Sequence, residues 1–217
     1  SPSDRDNLVA MVAGGRAVVS TDGGQHWRTV HGLPKGITNR GAPFSIYARP
    51  LTADGEKDGV FYYYHAGQFY SSDDQGQTFH AVNTSLPAES QKGFYSVQTV
   101  PGRSGKIWLN LGSSGLLHST DHGLTWTAIP AVQKARLMAV GKSVTSAESP
   151  AIYIYGDIGE KEDGIFRSTD DGETWEDIQD PENPIGNNPT VMLASRKTSG
   201  LLFIGTFGRG IFYAMPG

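Results

Sequence analysis

One eight-residue pattern occurs four times in this chain: STDGGQHW from Ser20, SDDQGQTF from Ser72, STDHGLTW from Ser119 and STDDGETW from Ser168. The starts lie 52, 47 and 49 residues apart. A self-similar unit at a period of roughly 40–50 residues is the mark of a repeat architecture. The shared form is Ser-x-Asp-x-Gly-x-(Thr/His)-(Trp/Phe). An active site is normally present once, whereas a motif in every unit answers a need of the fold. Short β-forming runs precede each copy (Ala17–Ser20, Gln68–Ser72, Leu116–Ser119, Ile165–Ser168) and follow it. The pattern is therefore read as a hairpin turn.

In that turn the aspartates Asp22, Asp74, Asp121 and Asp170 are expected to accept backbone N–H bonds. The glycines Gly24, Gly76, Gly123 and Gly172 supply a positive φ. The aromatics Trp27, Phe79, Trp126 and Trp175 return into the sheet stack and pin the turn. A calcium loop of the EF-hand kind is excluded, because its twelve-position ligand ladder and closing glutamate are missing.

Strand patterns between the turns repeat in groups of four, the meander of a β-propeller blade. Whole blades are expected over 44–83, 94–130 and 134–179, with a partial first blade over 1–31 and a partial last blade over 189–214. The fold class is thus all-β: a propeller of four-stranded blades with Asp-box turns, about five blade equivalents of a seven-bladed ring. The runs VFYYYH, IWLNL and AIYIY are apolar at every other position and between, as a strand packed on both faces requires. The 28 glycines and 12 prolines suit many tight turns. A formal net charge of −4 gives no basic footprint, so nucleic acid is not expected as a partner. No apolar run approaches the roughly 20 residues of a membrane span, and no membrane partner is expected. With no cysteine there is neither disulfide nor thiolate metal site. The six histidines show no metal-ligand spacing, so neither metal nor cofactor is expected. SPSDRDN does not read as a signal peptide, and the expectation is that a leader was removed or that the chain starts inside a longer protein.

Three stretches go beyond the turn motif: VPGRSGKIWLNLGSSGLLHSTDHGLTW (100–126), PAIYIYGDIGEKEDGIFRSTDDGETW (150–175) and LFIGTFGRGIFYA (202–214). Together they resemble the C-terminal propeller of the xyloglucan-active enzymes of glycoside hydrolase family 74. The resemblance implies an extracellular, inverting β-1,4-glucan hydrolase with a glucan cleft between two tandem propellers. This chain would form one wall of that cleft, with xyloglucan or another β-glucan as partner. The remainder of a longer chain, or a partner chain, would complete the ring.

Inversion needs two carboxyl groups about 6.5–9.5 Å apart. The resemblance places both catalytic aspartates upstream, so no catalytic residue is assigned here. The string YGDIGE resembles the surroundings of the family's acid, but Asp157 follows the second strand of its blade, where the acid does not belong. The run DIGEKED is read as a solvated loop. Ligand-face candidates for sugar contact are His65 with Ala66, Gly112 with Ser113, Tyr155 and Asp157, and Phe207 at a glycine-flanked tip. Trp108 is a further candidate, with a core position as the competing reading. A non-catalytic Asp-box propeller binding carbohydrate or protein stays open as the alternative, and a sialidase is a weaker third.

Overall fold

A computed structural model describes residues 1–12, 16–34, 48–88, 94–144, 149–186 and 188–215. These form five antiparallel sheets, each a meander in chain order. The first has β1 (Leu8–Met11), β2 (Ala17–Ser20) and β3 (Arg28–Thr29). The second has β4 (Leu51–Ala53), β5 (Phe61–His65), β6 (Gln68–Ser72) and β7 (His80–Asn83). The third has β8 (Ser96–Thr99), β9 (Ile107–Asn110), β10 (Leu116–Ser119) and β11 (Thr127–Ala128). The fourth has β12 (Val132–Gly141), β13 (Ala151–Ile158), β14 (Lys161–Ser168) and β15 (Glu176–Asp177). The fifth has β16 (Pro189–Ala194), β17 (Leu202–Thr206) and β18 (Gly210–Ala214). The strand expected over Phe44–Arg49 lies mostly outside the described residues; the first strand described in that sheet is Leu51–Ala53.

Alternation along the second strands explains why the sheets stack. Phe61 and Tyr63 enter the cluster shared with the first sheet, while Tyr62 and Tyr64 enter the one shared with the third. Ile107 and Leu109 face back, and Trp108 faces forward with Ile152 and Ile154 of the fourth sheet. Tyr153 and Tyr155 then meet Met192 and Ile204 of the fifth. A period of two with large side chains on both sides leaves these strands without a solvent face.

Backbone bonds tie the sheets together as well. His31 donates its N–H to Gln77 and accepts from Phe79, and Arg49 does the same with Tyr95 and Val97. Between the second and third sheets lies a buried polar knot. Asp54, 3% exposed, accepts from Tyr62 Oη (2.7 Å) and Gly105 N–H (2.8 Å) on one oxygen. Its other oxygen accepts from the N–H groups of Glu56 and Lys57. Tyr62 Oη, its proton used on Asp54, is 2.7 Å from His122 Nδ1, which must then carry a hydrogen.

The four turns share one hydrogen-bond scheme, and serine is at its centre. Ser20, Ser72, Ser119 and Ser168 are at most 3% exposed. Each donates its hydroxyl to the aspartate (2.7–2.8 Å) and accepts the N–H of the glycine four residues on (2.8–3.1 Å). The aspartate in turn accepts the N–H of His26, Thr78, Thr125 or Thr174, all at 2.9 Å. The residue before each glycine is also left-handed, at φ 72, 66, 62 and 59 for Gly23, Gln75, His122 and Asp171. Indole N–H groups of Trp126 and Trp175 close the scheme on the carbonyls of Gly123 and Gly172.

Phe79, Trp126 and Trp175 pack against the preceding sheet, Trp126 edge-on to Phe69 at 4.8 Å. Trp27 is the exception to the expected pinning. No preceding sheet lies against it among the described residues, and it is 45% exposed. Because the serine is buried and the aspartate's N–H donor is on the surface, the two should differ when removed. Ser168→Ala, orphaning the buried Gly172 N–H, is expected to cost about 1–3 kcal/mol, and Asp170→Ala about 1. Chemical denaturation of the two variants measures both; an Asp170→Ala loss exceeding that of Ser168→Ala would refute the ranking.

Candidate functional site

Each sheet is a meander and its neighbours run in step, so the hairpins joining second to third strands all emerge on one face. The links between sheets emerge there too, and the Asp-box turns on the opposite face. The ligand-face hairpins differ in length. Ala66 and Gly67 close β5–β6 with both residues at positive φ. His65, half-buried, stacks on Tyr63 at 6.4 Å. Between β9 and β10, Gly112 donates to Asn110 Oδ1 and pairs with Ala135 of the next sheet. Neither turn presents a broad side chain to solvent.

Phe207 does. It sits in the β17–β18 turn, 77% exposed. Its N–H is fixed on Asn188 O, and Thr206 Oγ1 donates to Gly210 O and accepts Arg209 N–H. A large apolar ring is thus held out from a braced turn.

The fourth sheet departs most from expectation. DIGEKED is not a solvated loop: β13 and β14 run eight residues each and turn only at Gly159–Glu160. Asp157 Oδ2 accepts from Lys134 Nζ at 3.0 Å, and Asp157 Oδ1 accepts Asp163 N–H at 2.8 Å. Lys134 also reaches Asp163 at 3.5 Å, and Arg136 reaches it at 3.6 Å. These ion pairs cross the inner three strands and extend them into a stiff projection. Both oxygens of Asp157 are engaged, which suits a brace and not a proton donor to a leaving group.

Two expected contacts are corrected by burial. Tyr155 is 1% exposed, in the cluster between the fourth and fifth sheets. Burial, with the Asp163 charge behind it, pushes its phenol up to about 12. Trp108 is fully buried between the third and fourth sheets, stacked on His118. Both occupy strand positions sandwiched by neighbouring sheets, so neither offers a ring face to a sugar.

Lys134, Arg136 and Phe94 were not singled out from sequence. Arg136 is the extra residue of a β-bulge between Ala135 and Leu137, and Gln133 lies in another. A bulge re-aims a side chain out of the pleat. The Arg136 guanidinium lies 5.1 Å over the Phe94 ring and 5.3 Å over that of Tyr155. The available signal was VQKAR, two cations two apart on an inner strand. Among the described residues, no three His, Cys, Asp or Glu side chains converge on a metal-sized point.

No family model matches the chain. The five stacked meanders and their turns define a segment of an Asp-box β-propeller. The narrower class comes from relatives. The chain is 34% identical over 205 residues to a probable oligoxyloglucan-reducing end-specific xyloglucanase of Neosartorya fischeri, covering 91% of the chain and 24% of that protein. It is 31% identical over 214 residues to a xyloglucanase of Acetivibrio thermocellus, covering 99% and 24%. A crystal structure of a xyloglucanase of the same family from Xanthomonas campestris superposes with a TM-score of 0.78 at 26% identity, covering 96% of this chain and 28% of that one. The chain belongs with glycoside hydrolase family 74, and it spans about a quarter of the length of the curated relatives it matches.

Proposed function

We propose that this chain is the C-terminal part of a propeller in a xyloglucan-hydrolysing, inverting β-1,4-glucanase acting outside the cell, and that it forms one wall of the glucan cleft. The observation that carries the reading is identity of 31–34% to xyloglucanases, sustained over at least 91% of the chain. Two features of the molecule support it. Phe207 offers the flat apolar surface that the C–H face of a pyranose needs. Leu193, Phe203 and Tyr213 are in cross-strand register on the fifth sheet and 52, 41 and 69% exposed, a ladder suited to burial under a further blade. The catalytic carboxyl pair is assigned to polypeptide beyond this chain.

The test has two arms. The isolated 217-residue chain, incubated with xyloglucan, is expected to release no reducing ends; turnover lost in Asp157→Asn would overturn the assignment. In the intact enzyme, Phe207→Ala is expected to raise KM for xyloglucan roughly fivefold with kcat little changed, about 1 kcal/mol of lost stacking. An unaltered KM would remove Phe207 from the wall.

A further inference from the structure

The fifth sheet stops one strand short of its neighbours. The second, third and fourth sheets carry outer strands β7, β11 and β15, and the first carries β3 in that place. Among the described residues no strand pairs with the far edge of β18. Register shows what else is missing. Ile154 stands opposite Phe166 in the fourth sheet, and Ile204 opposite Phe212 in the fifth, so the two sheets align residue for residue. On that alignment Ala214, opposite Leu202, takes the place of the buried Ser168, opposite Ile152. The hydroxyl that organises each Asp-box turn is absent, so that turn cannot lead from β18 into an outer strand.

The seat of the aromatic that follows each turn is nevertheless present, and open. Trp175 packs among Leu116, Ile129, Ile152, Ile154 and Phe166. The same positions one sheet further on are Ile165, Ile178, Leu202, Ile204 and Phe212. All five line a hollow of about 120 Å³ between the fourth and fifth sheets, with β18 as its outer lip. An apolar void of about 150 Å³ holds a benzene ring, so an open hollow of this size suits one aromatic side chain. Asp180 on its rim is already satisfied by the N–H groups of Glu182 and Asn183 and by Asn183 Nδ2.

The outer strands present share one spacing: Trp27 with Val30, Phe79 with Val82, Trp126 with Ile129, and Trp175 with Ile178. In three of them the closing N–H donates to the third strand: Val30 to Ala17 O, Ile129 to Leu116 O, and Ile178 to Ile165 O. Ile211 stands where Ile165 does, so its carbonyl and the N–H of Tyr213, two residues on, face the open edge.

We propose that the fifth sheet is completed by a strand from polypeptide beyond these 217 residues, with the pattern aromatic-x-x-(Ile/Val). The strand runs antiparallel to β18 and places its aromatic ring in the hollow. Edge bonds to Ile211 and Tyr213 set its register, and burial of the ring locks it. This rests on the reading of the chain as part of a longer propeller protein, and adds which edge is closed, by what sequence pattern and into which seat.

The experiment uses the intact polypeptide carrying this chain, with Phe212 replaced by photoreactive benzoyl-phenylalanine. Irradiation is expected to give an intramolecular cross-link, and mass spectrometry to place it in a peptide outside these residues that bears the pattern. Hydrogen exchange on the unsubstituted protein needs no variant to fold, and the Tyr213 amide is expected to be slowed on the order of a hundredfold or more relative to a free edge. The proposal is overturned if Tyr213 exchanges as a free edge. It is equally overturned if the link joins a second copy, falls within the 217 residues, or marks a peptide without the pattern. Xyloglucan turnover is measured in parallel: its absence beside the expected cross-link would sink the functional reading and leave the strand closure standing.

Discussion

Gly123→Ala is expected to destabilise the protein by roughly 2–4 kcal/mol, while Gly24→Ala, the same change in the same motif, is expected to cost about 1. Both glycines are left-handed, at φ +85 and +90, so the backbone strain is common to the two. They differ in what a methyl group would meet. At Gly123 it would lie 2.3 Å from Phe69 Cε1 and 2.4 Å from Cδ1, a fully buried ring of the preceding sheet. At Gly24 the nearest atom is its own turn's Trp27, at 3.5 Å. Gly76 follows Gly123, with Val9 Cγ2 at 2.3 Å, and Gly172 is intermediate, with Ile129 at 3.0 Å and Trp108 at 3.3 Å. Urea denaturation of the four variants is expected to rank Gly123 and Gly76 well above Gly24. Equal losses at all four would mean that φ alone selects the glycine.

Asp54→Asn is expected to be no milder than a truncation, at roughly 2–5 kcal/mol. The carboxylate faces donors on both oxygens, so whichever way the amide is turned its N–H₂ confronts N–H or O–H groups. Burial, and then the Asp54 bond, push the Tyr62 phenol well up, and that bond is the one its proton serves. The same residue links stability to acid. Burial raises the Asp54 carboxyl, but bonds from Gly105, Lys57, Tyr62 and Glu56 together outweigh it and the net shift is down. Asp74, Asp121 and Asp170 follow the same balance, with burial opposed by threonine and serine bonds.

A carboxyl depressed on folding contributes stability that is present above its unfolded value, about 3.9, and lost as pH falls through the folded value. The carboxyls are therefore expected to cost stability below about pH 4, with a shallower fall in Asp54→Asn. A smaller loss is expected already as pH drops below about 6.5, because burial lowers the His118 imidazole from its unfolded value. A melting temperature unchanged between pH 6 and pH 3 would contradict the linkage.

Much of this was legible in the residues. The four turns, the strand order and the double-sided apolar strands follow from local chemistry repeated at one period. What sequence gave less well was anything depending on the neighbouring sheet. The motif glycine reads as a turn requirement, yet its tightest constraint is Phe69, 54 residues before Gly123, or Val9, 67 residues before Gly76. The serine reads as a strand end, yet it is the buried hinge of the turn. DIGEKED reads as a solvated loop because its charges are dense; Lys134 and Arg136 pair with Asp157 and Asp163 from another strand, and the sheet continues. Tyr155 and Trp108 were ambiguous in sequence because strands packed on both faces carry no polar side to set their phase.

Those glycine seats also have a direction. The second turn closes against Val9 of the first sheet, the third against Phe69 of the second, and the fourth against Trp108 of the third. Each repeat fits into a receptor made by the repeat before it. During synthesis, at about 5–20 residues per second, an emerging blade meets a partner that left the ribosome seconds earlier. Growth from the N-terminal side can then proceed by successive docking onto a finished template, and loss of one sheet removes the mould of the sheet that follows it.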